Sequence, residues 1–283
     1  MLEDIVFGTL VMPGELLRLL IAFAGTGIAA YYDVFNKKNV PNEMLYAFLI
    51  VALLTNIVFY QQDLFWFSIG VAAFFSAVGY VFYRVGQLGG ADVFVLASIM
   101  LLLPVHPSFE GMPFNMPFIF SVFIFSGVLF ALYVMAYFGW KLTKEQDVKP
   151  KLLYGLMFIP YLLFAWAYVN SFIFSPVYFA FISALLFATI FFLMFRESLN
   201  ALLAEELPLA QVQPEDVLAM EIMNKDMIER YKIPRVITQA ELDRLKTTKV
   251  TELWVYTKLP PFLPFILAGM VLSLLFARSL ILL

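Results

Sequence analysis

Leu20-Ile21-Ala22-Phe23-Ala24-Gly25-Thr26-Gly27-Ile28-Ala29-Ala30-Tyr31-Tyr32-Asp33 runs from an apolar stretch straight into an acid. A charged residue at the centre of a membrane helix costs about 2.5–3.5 kcal/mol on insertion scales, and less near the interface. Such an acid is expected to have a job and a partner. A second acid stands in the same setting 59 positions later, in Leu88-Gly89-Gly90-Ala91-Asp92. Each acid is therefore the first candidate for the other's partner.

The rest of the chain fits a membrane setting. Hydrophobic residues make up 63%, charged residues 14%, and the mean hydropathy is +0.88. A soluble domain is nearer half apolar and a quarter charged. Apolar stretches near the spanning length of about 20 residues fall at 14–32, 42–60, 64–85, 90–106, 117–140, 152–171, 176–195 and 261–281. Asn170, Ser171, Ser175 and Pro176 predict a tight turn inside 152–195, with a single kinked or re-entrant segment as the alternative. The expected fold is an all-α polytopic membrane protein of about eight transmembrane helices, six being possible. The acidic start Met-Leu-Glu-Asp is unlike a secretory signal, so the first span is expected to be retained. With no cysteine, disulfides, zinc-thiolate sites and thiol nucleophiles are excluded. A net charge of −3 argues against nucleic acid.

Loop charge gives an orientation. Lys37 and Lys38, Arg84, the lysines between 141 and 151, and Arg196 with the bases up to Lys258 fall on one side. The opposite loops 61–63, 107–116 and 172–175 carry no Lys or Arg, and only Arg18 and Arg278 lie toward them. The positive-inside rule makes the basic side cytoplasmic and both termini external.

The chain divides by composition into a helical membrane domain over 1–196, a soluble cytoplasmic piece over 197–259 and a final span over 260–283. The soluble piece is expected to be a small α+β domain. The preceding helix is predicted to continue to about Glu206, with Pro208 and Pro214 breaking it. Alternation predicts strands over 216–223 and 252–258. Thr238-Gln239-Ala240-Glu241 has capping-box spacing and opens a helix through Leu242 and Leu245.

The alternation of spans brings the two acids to the same side. Asp33 ends the first span and Asp92 begins the fourth, with two crossings between them. Two carboxyls that meet share a proton: one acts as base toward water and the other donates to a carbonyl oxygen. Gly89 and Gly90, lacking Cβ, would let a substrate backbone approach. The plainer reading is that Asp92 caps a helix and Asp33 is an interfacial residue near Lys37. Topology favours the pair.

The flanking residues resemble those of a known family. Tyr32-Asp33, followed by Asn36-Lys37-Lys38-Asn39-Val40-Pro41-Asn42, resembles the first-aspartate motif of type IV prepilin peptidases. Leu88-Gly89-Gly90-Ala91-Asp92 resembles their Gly-x-Gly-Asp motif, with Ala91 at the third position as the archaeal preflagellin and prepilin peptidases accept. Leu259-Pro260-Pro261-Phe262-Leu263-Pro264-Phe265 and a small soluble domain before the last span are also similar to the archaeal branch. The resemblance implies an aspartyl endopeptidase with Asp33 and Asp92 as catalytic residues. Tyr32, Asn36, Lys37, Lys38, Pro41, Asn42, Gly89, Gly90 and Ala91 would be the motif residues around the substrate. It implies cleavage of short leaders from prepilin or preflagellin precursors at the cytoplasmic membrane face. It implies neither metal nor cofactor, and without a cysteine-rich loop no methyl transfer. The spans at 152–195 have no counterpart in that resemblance.

Among other features, His106 lies about 21 Å along a helix from Asp92 and reads as a loop residue remote from the acids. The nearest alternative is a presenilin-like protease, but only one span precedes Asp33 and no Pro-Ala-Leu occurs. A proton- or cation-coupled transporter is a second alternative, though no internal repeat accompanies the acids.

Overall fold

A computed structural model of the chain describes residues 12–36, 39–108, 116–144, 148–248, 250–257 and 259–281. The protein is mostly helical with one small two-stranded sheet. Helices α1 (Glu15–Phe35), α2 (Asn42–Val58), α3 (Gln62–Arg84), α4 (Gly90–Leu102) and α5 (Phe118–Leu142) come first. A 3-10 turn (Leu152–Met157) leads into α6 (Phe158–Val169), then α7 (Pro176–Met194) and α8 (Arg196–Leu203). Strand β1 (Ala204–Pro208), α9 (Lys225–Tyr231), α10 (Gln239–Lys246), β2 (Glu252–Tyr256) and α11 (Leu263–Ile281) complete the order.

Length and composition suit five helical segments for crossing a bilayer: α1, α3, α5, Leu152–Val169 and α7. Asn42–Val58, Gly90–Leu102 and Leu263–Phe276 are apolar but shorter. Large apolar side chains such as Leu20, Ile57, Trp66, Phe74, Leu163 and Trp166 stand exposed on these helices. Water would penalise such a surface and lipid does not. The chain is a multi-pass membrane protein.

Two compact units form. The first takes the chain up to Tyr83, Gln87–Phe130 and the chain from Pro261. Its core is α4, buried almost all round from Val95 to Leu102, with α1 and α2 packed on it and α11 on α1. The α1 stripe that faces inward is small: Ala22, Thr26, Ala29 and Ala30. Small side chains let helix backbones close in where lipid offers no hydrophobic drive. Gly25 extends that logic, since a Cβ there would overlap the Phe48 ring of α2. Gly269 of α11 does the same against α5, where a Cβ would meet the Ser126 hydroxyl and the Val122 carbonyl.

The second unit holds Arg84–Gly86 and Ala131–Pro260. Residues 152–195 form two helices joined by the turn at 170–175. Ser175 caps α7 by accepting from the Tyr178 N–H at 3.4 Å, and Pro176 takes the first helical position, where its missing N–H costs nothing. Tyr161 and Ser183 share a hydrogen bond of 2.9 Å between α6 and α7. Beyond α8 a separate apolar core gathers Leu218, Ile237, Leu242, Leu245, Leu253 and Val255.

Two local expectations are corrected here. The helix after α7 ends at Leu203, not near Glu206, and residues 204–208 form β1 instead. β1 runs antiparallel to β2 with Leu207 opposite Leu253. Ala, Glu and Leu favour helix locally, but cross-strand pairing with β2 outweighs a propensity of a few tenths of a kcal/mol per residue. Residues 216–223 are not a strand. Val217 and Leu218 make isolated bridges to Val236 and Val255, and the Met220 N–H then turns back to the Leu218 carbonyl. The strand expected at 252–258 forms as β2. Thr238 opens α10 as its spacing predicts, accepting from the Glu241 N–H at 3.3 Å.

Glu221 ties this core together. Its carboxylate accepts from Arg235 at 2.7 Å and from the Tyr256 hydroxyl at 3.0 Å. Burial pushes the Glu221 carboxyl up, but hydrogen bonds from Arg235, its own backbone and Tyr256 together hold it below the usual carboxylate range. A depressed folded pKa stabilises the fold above the unfolded value of about 4.3 and loses that contribution as pH falls through the folded value. Amide exchange across β2 should therefore accelerate below about pH 4.3. Tyr256→Phe should cost about 0.5–1.5 kcal/mol at neutral pH and make the acid-side loss shallower. Separately, Gly269→Val should destabilise the helical core by about 1–3 kcal/mol through overpacking, read as a lower unfolding temperature in micelles.

Candidate active site

Helical periodicity delivers Asp33 to the interior. The buried positions of α1 run Arg18, Leu19, Ala22, Thr26, Ala29, Ala30 and Asp33, so the acid is the last member of the inward stripe. It is only 7% exposed. Its Oδ2 accepts from the Leu263 N–H at 3.0 Å. That amide opens α11, where a helix leaves its first N–H groups without internal partners and favours negative charge.

Asp92 is 8% exposed and stands in the first turn of α4. Its Oδ2 reaches back to accept from the Gly89 N–H at 2.9 Å. The plainer reading of this acid as a helix-capping residue is thus true of its geometry. Gly89 makes room for it, because a Cβ there would lie 3.1 Å from that same oxygen. The two carboxyls are near enough for their charges to interact, although 59 positions separate them. Each acid caps a helix start, and the two helix starts lie at one end of the first unit.

The remaining motif residues build the frame around the acids. Tyr32 is half-buried and packs on the apolar core. Asn36 closes the turn after α1, its side-chain amide donating to the Asn39 carbonyl at 2.7 Å. Pro41 caps α2 with its carbonyl, which accepts from the Met44 and Leu45 N–H groups. Asn42, the first residue of α2, is exposed. Gly90 and Ala91 form the start of α4, half-buried. Lys37 and Lys38 lie outside the described residues. His106 sits in the connection after α4, buried, with Nε2 3.1 Å from the Ser121 hydroxyl.

Beside the Asp92 turn lies an apolar cleft of about 390 Å³. Phe75, Val78, Gly79 and Phe82 of α3, with Val93 and Leu96 of α4, line it. Leu88 and Val93 bracket the Gly89–Asp92 turn, so the cleft starts at the depth of Asp92 and follows α4 inward. Val93, Leu96 and Met100 share one helical face of α4, and Phe75, Val78, Gly79 and Phe82 share one of α3. The Leu263 main chain was invisible to side-chain reasoning. Its only signal was the run of prolines at 260, 261 and 264, which leaves few amides free to donate there.

No curated protein and no solved structure matches the chain. A family model does match, over residues 20–135, from the inward stripe of α1 through both acids and into α5. That stretch, with its two buried aspartates, is similar to the type IV leader peptidase family.

Proposed function

We propose that this protein is a membrane aspartyl endopeptidase that removes the short leader of prepilin-like or preflagellin precursors. The family match supports prepilin-type leader cleavage. The observation that carries the aspartyl mechanism is that Asp33 and Asp92 are both buried and near enough for their charges to interact. In this reading one carboxylate takes a proton from water as the water oxygen attacks the scissile carbonyl. The other, protonated, carboxyl donates to the carbonyl oxygen. Collapse of the tetrahedral intermediate breaks the C–N bond, and a carboxyl returns a proton to the leaving amine. No metal or cofactor takes part, and the protein acts as a peptidase without methyl transfer.

Helix ends suit this chemistry. The N-terminal turns of α4 and α11 stabilise carboxylates by their dipoles and free N–H groups, and hold them without long flexible stems. The charge bias puts the site at the cytoplasmic interface, where a leader meets the apolar segment that follows it. The cleft along α3 and α4 would take apolar side chains of that segment. Residues 197–259 would form a cytoplasmic domain between the helical domain 1–196 and the last span 260–283. Its net charge of −3, from 11 acids and 8 bases, suits a basic leader weakly.

Cleavage of a leader-bearing precursor by the purified protein in liposomes tests the reading. Asp33→Asn and Asp92→Asn should each lower kcat by at least about 10³-fold while extraction and unfolding stay as in the parent, because asparagine can still accept from Leu263 or Gly89. Substantial cleavage by either variant removes the dyad. Gly89→Ala should lower kcat by roughly 10-fold to 10²-fold, since the added methyl displaces the Asp92 carboxyl by a few tenths of an ångström.

A further inference from the structure

Arg18 is wholly buried, on the same inward stripe of α1 that ends in Asp33. Among the described residues no acid pairs with it. Its Nε and Nη1 donate to main chain and amide instead, while Nη2 is buried with no hydrogen-bond partner among the described residues. Nε donates to the Pro13 carbonyl at 2.9 Å, and Nη1 to the Asn56 side-chain oxygen at 2.9 Å and to the Leu102 carbonyl at 3.2 Å. The Leu101 carbonyl lies 3.4 Å from Nη1 and also accepts from the Asn56 side-chain amide at 2.7 Å. Asn56 anchors in turn to Ala52 of its own helix at 3.1 Å.

These contacts join three helices at one level. Leu101 and Leu102 are the last residues of α4, whose terminal carbonyls lack internal partners and carry the negative end of the dipole. Arg18 of α1 and Asn56 of α2 satisfy them together. The guanidinium is thus a C-terminal cap supplied by a neighbouring helix. The other ends of the same two helices, α1 and α4, carry Asp33 and Asp92. Apolar packing alone fixes axial register weakly, because one ridge of small residues slides over another at little cost. A buried guanidinium held by four acceptors does not slide, since any slip leaves a charge unsatisfied in an apolar interior.

We infer that Arg18, with Asn56, is a positioning residue that sets the axial register of α1 against α4 and so the meeting of Asp33 with Asp92. The inference rests on the peptidase reading for its functional consequence, and on the geometry alone for the register. A slip of one residue along a helix moves its acid by about 1.5 Å. A misplacement of about 1 Å can cost about 10²-fold in rate.

Two readouts test it. In the kinetic one, Arg18→Gln should lower kcat by roughly 10²-fold with KM changed by less than about twofold, and Arg18→Lys should recover part of the loss. The second needs no activity. The chain has no native cysteine, so Asp33→Cys combined with Asp92→Cys provides two unique thiols. Adding Arg18→Gln to that pair should slow their joining by a short thiol cross-linker by about fivefold or more, in protein that still unfolds cooperatively. Leu64→Ala, a buried change in α3 outside these contacts, should leave the cross-linking rate within about twofold. If Arg18→Gln fails to fold, Asn56→Ala serves in its place with a slowing of about threefold. A cross-linking rate unchanged by whichever of the two variants folds overturns the inference. Slowed cross-linking in a parent protein that cleaves no precursor leaves the register role standing and removes the peptidase reading.

Discussion

Inside an apolar helical core each polar side chain must find its partner from within, and that obligation organises the first unit. Asp33 takes the Leu263 amide, Asp92 the Gly89 amide, and Arg18 the carbonyls that end α4. A hydrogen bond to a charged group is worth about 1.5–3 kcal/mol, and leaving such a group unpaired costs more. These polar contacts also carry direction, which dispersion between small residues does not. They tie α1 to α4 at the Arg18 end and to α11 at the Asp33 end, over sequence separations that reach 230 positions.

In the proposed peptidase the same acids would serve fold and chemistry at once. A carboxyl at a helix start is held by the backbone, so its position is as firm as the helix that it caps. Burial keeps bulk water out and strengthens every charge interaction in the pair. The glycine before Asp92 is part of this device, since the carboxyl occupies the space that a Cβ would need. Two acids in this arrangement cost the fold little, because each satisfies a group that the helix ends would otherwise leave exposed.

The second unit follows the rules of water at its far end. Beyond α8, charged residues return and Glu221 draws Arg235 and Tyr256 around a small apolar core. There the turn chemistry of Thr238 and the alternation of 252–256 were legible, because both act within a few residues. The partner of β2 was not. Ala204–Pro208 is helical by local preference, and only the chance to pair Leu207 with Leu253 makes it a strand. The stretch at 216–223 alternates like a strand but divides its hydrogen bonds between two neighbours, so periodicity alone misread it.

By itself the sequence determined the class of the protein and the positions of its apolar helices, and it singled out Asp33 and Asp92 as the candidate acids. Hydropathy, loop charge and the Asp33 and Asp92 motifs are local properties, and membrane insertion reads them locally. Tertiary structure decided who holds those acids and at what register. Leu263 contributes a backbone amide with no side-chain signature. Arg18 counted in the sequence only as a stray charge on the wrong side, until folding gave it the end of α4 to cap. Both are long-range pairings of groups that every chain carries, and only the folded arrangement selects which of them meet.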